Sequence, residues 1–97
     1  MSWGATEWQQ LRAERMGEPG AEEAYDGARR AFELGRVVRE MRETRGWTQA
    51  RLAEAAGMTQ SAVARFEAGG TVPTIPVLER LARALGAELE VHLTLSA

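Results

Sequence analysis

Two helical segments of roughly two turns each, separated by a short glycine-containing turn, constrain this chain more than any other feature. The first runs from Gln49 to Ala56 behind the capping residue Thr48, and its Leu52, Ala53 and Ala56 face inward. Gly57 supplies a sharp break where the chain needs a left-handed residue. Thr59 then caps a second helix, Gln60 to Ala68. On that helix Val63 and Phe66 form an apolar edge, whereas Ser61, Ala64, Arg65 and Ala68 form an edge that is small except for one arginine. A core helix would fill the second edge with bulk, and a merely solvated one would carry Lys and Glu. That face is shaped to fit against something.

The surrounding chain is helical as well. Residues 1–20 can form one short helix in which Thr6 and Gln9 resemble a capping box and Trp8, Leu11 and Arg15 share a face, stopped by "GEPG". From Ala21 a helical period resumes, with Glu22 and Glu23 suited to a helix start and Tyr25, Ala28 and Phe32 at i, i+3 and i+7, then Val37, Val38 and Met41. Gly27 and Gly35 each weaken such a helix by about 1 kcal/mol. Residues 21–44 are therefore either one long helix or two joined near Gly35. After the loop "GGTVP", Thr74 caps a last helix whose core face is Val77, Leu78, Leu81, Ala82 and Leu85, with Pro76 tolerated in its first turn and Gly86 closing it. In the tail, Leu89, Val91, Leu93 and Leu95 alternate with Glu88, Glu90, His92 and Thr94, the pattern of a half-buried strand.

Charge is laid out unevenly along the 97 residues. Residues 1–35 hold seven acids against four arginines, and residues 36–83 hold eight arginines against five acids. Every cation is an arginine, which fits a GC-rich coding bias and also suits forked contacts to phosphate and guanine. The chain has no cysteine, which excludes a disulfide framework and Cys-rich zinc sites and fits a reducing cytoplasm. With no apolar run near 18 residues and no leader, a cytoplasmic, nucleoid-associated protein without a membrane partner is expected. His92 is the only histidine, so no metal is expected. No catalytic residue or cofactor is expected either: there is no phosphate loop and no acid pair in an obvious cleft.

Two short helices around a glycine turn have helix-turn-helix geometry. A major groove about 12 Å wide admits a helix only if its outward face is slim. Ala64 and Ala68 permit close approach, Arg65 can reach guanine O6 and N7, and Thr59, Gln60 and Ser61 stand at the end that enters deepest. Gln49 and Gln60 sit at helix amino ends, where phosphate oxygens are within reach.

The run "TQARLAEAAGMTQSAVARFEAGGTVPTIPVLERLARALG" resembles the Xre/Cro-type helix-turn-helix domain of phage and bacterial repressors over residues 36–86. The E-x-G-x-x-x-P run at Glu67, Gly69 and Pro73 is a second marker of that family. The resemblance implies backbone-phosphate contact by Gln49 and DNA contact by Thr59, Gln60, Ser61 and Arg65. It also implies an Arg42–Glu67 pair, read as structural. Ala68 departs from several phage repressors, which carry a polar backbone-contacting residue there. The flanks, "AYDGARRAFELGRVVREMR" and the tail strand, look like antitoxins of HigB/HigA-type toxin–antitoxin pairs. That likeness implies an operon repressor that neutralises an mRNA-cleaving HigB/RelE-type toxin; a stand-alone regulator is the alternative.

The expected fold is all-α: a lambda-repressor-like helix-turn-helix bundle (36–86), an amino-terminal helical extension (1–35) and one carboxy-terminal β-strand (87–97). Trp3, Trp8, Leu11, Tyr25 and Phe32 are the expected partner-binding residues of the extension, although Trp3 and Trp8 can equally return to pack on the domain. Trp47 is expected to fill core. Because a half-buried strand must pair its backbone groups, Leu89, Val91, Leu93 and Leu95 are expected to form an antiparallel homodimer contact, suited to a palindromic double-stranded DNA operator. A pairing with residues 1–5 is a shorter rival.

Overall fold

The computed structural model describes residues 20–96. Four helices follow one another there: α1 (Ala21–Thr44), α2 (Gln49–Ala56), α3 (Gln60–Glu67) and α4 (Ile75–Ala84). The expected first helix, with Trp3, Trp8 and Leu11, lies outside the described residues.

The three short helices begin where hydroxyl caps place them. Thr48 Oγ1 accepts the Arg51 N–H at 3.1 Å, Thr59 Oγ1 accepts that of Ala62 at 3.1 Å, and Thr74 Oγ1 accepts that of Val77 at 3.4 Å. Each such cap is worth about 1 kcal/mol. Helices of eight to ten residues are marginal alone in water, so packing must hold them. Leu52, Val63 and Leu81 are the most deeply buried side chains, joined by Val38, Ala53, Ala56, Phe66 and Leu85. The helices α2 and α3 pack on each other, α1 closes over α3, and α4 lies against α2.

Of the two arrangements open for residues 21–44, the single continuous helix is observed. Its exposed side carries ion pairs one turn apart, Arg29–Glu33 at 3.0 Å and Arg36–Glu40 at 2.8 Å, each worth a few tenths of a kcal/mol. The buried stripe differs from the expected one. Val38 is buried as expected, but so are Ala31 and Gly35, whereas Tyr25, Ala28 and Phe32 are half-buried and Val37 and Met41 are exposed. The cause is what α1 packs against. A Cβ at position 35 would fall on the Phe66 carbonyl oxygen and 2.6 Å from that of Glu67. From the other side, a Cβ on Gly69, itself at φ +76°, would lie 2.9 Å from Phe32 Cα. Gly35 is thus a site of backbone contact with the end of α3, not a joint.

The tail also departs from expectation. Residues 87–96 have no regular secondary structure. Leu89 is half-buried, while Val91, Leu93 and Leu95 are exposed, the last two almost completely. A strand needs a neighbour for its backbone N–H and C=O groups, and the described residues of one chain contain no other strand to provide an edge. The rival partner, residues 1–5, lies outside the described residues.

Candidate nucleic-acid interface

The turn between α2 and α3 is built on Gly57, at φ 68° and ψ 36°. Its backbone N–H groups stay occupied: Gly57 donates to Glu54 O at 3.4 Å and Met58 to Ala53 O at 2.9 Å. Only Met58 and Thr59 separate this glycine from α3. Ala53, 3 % exposed, is small enough for the two helices to cross closely. Val63, Phe66 and Glu67 turn inward from α3, leaving Gln60, Ser61, Arg65 and Ala68 exposed and Ala64 half-buried. The outward surface is therefore slim, with one long side chain.

A buried ionic cluster fixes the end of that helix. Arg42 of α1 donates from Nε to Glu67 Oε2 at 2.7 Å and from Nη2 to Oε1 at 3.0 Å, a two-pronged contact. Arg42 Nη1 also donates to the Trp47 carbonyl at 2.8 Å. The Glu67 side chain is only 3 % exposed and that of Arg42 12 %. Hydrogen bonding to Glu67 holds the Arg42 guanidinium above its ordinary pKa, with burial pulling the other way and the charges of Glu67 and Glu43 adding to the rise. The same carboxylate accepts a third bond, from Gln49 Nε2 to Oε1 at 3.1 Å. Gln49 is the first residue of α2, and its amide has a second N–H free to point elsewhere.

Of the five residues expected at DNA, four lie on or just before α3 and the fifth, Gln49, begins α2. Gln49 is half-buried and bonded to Glu67; Thr59, Gln60 and Ser61 are exposed at the amino end of α3, and Arg65 is exposed in its last turn. The Arg65 side chain has no hydrogen bond or ion pair among the described residues, unlike those of Arg29, Arg36, Arg39, Arg42 and Arg51. Sequence reasoning recognised the Arg42–Glu67 pair but missed its hold on Gln49. The eighteen-residue separation gives no local pattern, and only the shared marker glutamate hinted at it.

Trp47 is half-buried against the core, its ring covered by the guanidinium groups of Arg45 and Arg51 at 4.4 and 4.7 Å. Such contacts stabilise by about 0.5–1 kcal/mol when exposed. Arg45 Nη1 also donates to Leu85 O at 2.7 Å, tying the end of α1 to the end of α4. Tyr25 and Phe32, expected at a partner surface, are half-buried on α1. His92 lies 3.4 Å from Glu90 in the exposed tail. Among the described residues no group of three His, Asp or Glu side chains could hold a metal, and no helix is long and apolar enough to cross a membrane.

Residues 33–95 match the family model described as helix-turn-helix domain. The chain is 40 % identical over 52 residues to a protein of Methanothermobacter thermautotrophicus described as an uncharacterized HTH-type transcriptional regulator, covering 54 % of this chain and 75 % of that one. No solved structure is a significant match. With a slim, exposed second helix set by a glycine turn, and a family match spanning about two thirds of its length, the chain belongs to the helix-turn-helix domain family.

Proposed function

We propose that the protein is a DNA-binding transcriptional regulator that represses by seating α3 in the major groove of an operator. The observation that carries this is the outward face of α3: small residues around an unpartnered Arg65, beside a Gln49 whose amide is aimed by Glu67. In this function Arg65 forks onto guanine O6 and N7. Thr59, Gln60 and Ser61 enter with the amino end of α3. Gln49 donates its second amide hydrogen to a phosphate oxygen, which positions the helix without reading sequence.

A homodimer completes the repressor. The exposed Val91, Leu93 and Leu95 would be covered, and the tail's backbone groups paired, by the same segment of a second copy about a twofold axis. Two recognition helices about 34 Å apart would then read a palindrome in successive major grooves. Selection from a random duplex pool tests both statements. An enriched inverted repeat is the expected result; a single unrepeated site would refute the twofold arrangement, and no enrichment would refute sequence-specific binding.

Residues 1–35 give the regulator its second role, that of a type II antitoxin that neutralises an mRNA-cleaving toxin. Support comes from the acidic balance of that segment, with Trp3 and Trp8 in it, since a toxin acting at the ribosome would be basic. The relative's description as a transcriptional regulator favours a stand-alone role instead. Co-purification with the product of a neighbouring gene separates the two. A basic nuclease retained through residues 1–35 supports the antitoxin, and a lone chain that still represses its operator supports the stand-alone regulator.

A further inference from the structure

A groove of about 670 Å³ opens between the first three turns of α1 and the loop joining α3 to α4. Ala24, Gly27, Ala28 and Ala31 form its floor, with Val72 and Leu78 opposite. Val72 is 86 % exposed at the edge of this apolar surface. Gly27 is the informative residue. A glycine inside a helix costs about 1 kcal/mol relative to alanine. At Gly35 the fold requires it, but beyond its own stretch of helix no described atom lies within 4 Å of the Cβ that Gly27 would carry. Its missing side chain leaves room in the groove and serves no described neighbour.

The occupant is indicated by where the chain enters. Residues 1–19 join α1 through Gly20, about one turn before the first floor residue, Ala24. That segment carries Trp8 and Leu11 at a spacing that places both on one helical face, with Trp3 and Met16 flanking them. A helix over residues 6–16 would be about 16 Å long, sufficient to span the floor from Ala24 to Ala31. A floor of alanine and glycine admits a second helix near the short end of the 8–10 Å interaxial range. Arg30 borders the groove, and the segment supplies Glu7, Glu14 and Glu18. The short tether keeps the local concentration of the segment in the millimolar range.

We propose that this groove is the docking site of the chain's own residues 1–19, with Trp8 and Leu11 seated over Gly27. The docking has a consequence for the DNA-binding unit. Gly69 and Gly70 belong to the groove wall and follow the last residue of α3 by two and three positions, so a partner that extracts the segment removes packing beside the end of the recognition helix. The inference stands apart from the antitoxin role and needs no toxin.

The chain has no cysteine, so Gln10→Cys in the full-length protein gives a single attachment point for a nitroxide spin label. Loss of amide signal at Ala28, Ala31 and Val72 is the expected result, with recovery on reducing the label. Gly27→Gln projects a flexible side chain into the groove from a Cβ position that is clear of neighbouring elements and improves helix propensity, so the variant remains folded and should restore those signals. Unchanged groove signals in the labelled parent would overturn the proposal. So would signal loss undiminished by Gly27→Gln. Mixing spin-labelled chains with isotope-labelled, spin-free chains tests for a second copy as the occupant. Loss of groove signals in that mixture would overturn the intramolecular assignment.

Discussion

Glu67→Ala should be among the most destabilising single substitutions in this domain. Glu67 accepts from Arg42 at 2.7 and 3.0 Å and from Gln49 at 3.1 Å, with its side chain 3 % exposed. Truncation leaves a buried guanidinium without its counter-charge, which costs about 3–5 kcal/mol. Arg42 keeps the Trp47 carbonyl at 2.8 Å and is 12 % exposed, so the lower end, about 3 kcal/mol, applies. For a domain of this size that corresponds to a fall in Tm of roughly 12–24 °C, out of a total stability of only about 5–15 kcal/mol. Thermal and urea unfolding followed by circular dichroism measure it. The double variant Arg42→Met with Glu67→Leu should regain most of the loss, because it removes both charges together. A loss below about 1 kcal/mol for Glu67→Ala would refute the reasoning, since it would make the pair no more than a surface ion pair.

Gly35→Ala should destabilise by about 1–3 kcal/mol despite the better helix propensity of alanine, because its Cβ meets carbonyl oxygens that cannot rotate away; unfolding titrations check it. Arg65→Ala should cost about 1–3 kcal/mol on the selected operator and relax preference at one guanine. Gln49→Ala should weaken binding to all sequences alike, and titrations on single-base operator variants distinguish the two. Deleting residues 88–97 should give a monomer with much weaker operator binding; a truncated protein that still sediments as a dimer at micromolar concentration would place the twofold elsewhere.

The helix-turn-helix core was legible because its signals are local. Thr48, Thr59 and Thr74 each bond within three residues, and Gly57 breaks the chain where its left-handed φ is needed. Inward residues such as Leu52, Val63 and Leu81 followed from the 3.6-residue period. The errors arose where the partner is distant in sequence. Periodicity selected Tyr25, Ala28 and Phe32 because they are apolar, whereas α1 turns Ala31 and Gly35 inward, the latter against the backbone at the end of α3. A glycine that admits a carbonyl and a glycine that loosens a helix look identical in one dimension. The alternation of residues 88–95 is strand-like, but strand formation also requires an edge, which one described chain does not provide.

The same long-range contacts explain how so short a helix can present a fixed outward face. An eight-residue helix does not hold its own orientation, and its slim outer surface offers no bulk to wedge it in place. Its position is set from behind. Val63 and Phe66 enter the core, the backbone at Phe66 and Glu67 seats on Gly35, and Gly69 seats on Phe32. Glu67 then joins three elements at one carboxylate: α1 through Arg42, α3 through its own backbone, and the first residue of α2 through Gln49. The residue proposed to hold phosphate and the helix proposed to read bases are therefore mounted on one buried group. In the proposed complex, contact at Gln49 would fix the depth at which Arg65 meets the groove floor, a division of labour in which position is set by one side chain and sequence is read by another. Loosening that carboxylate should degrade sequence discrimination even in molecules that remain folded.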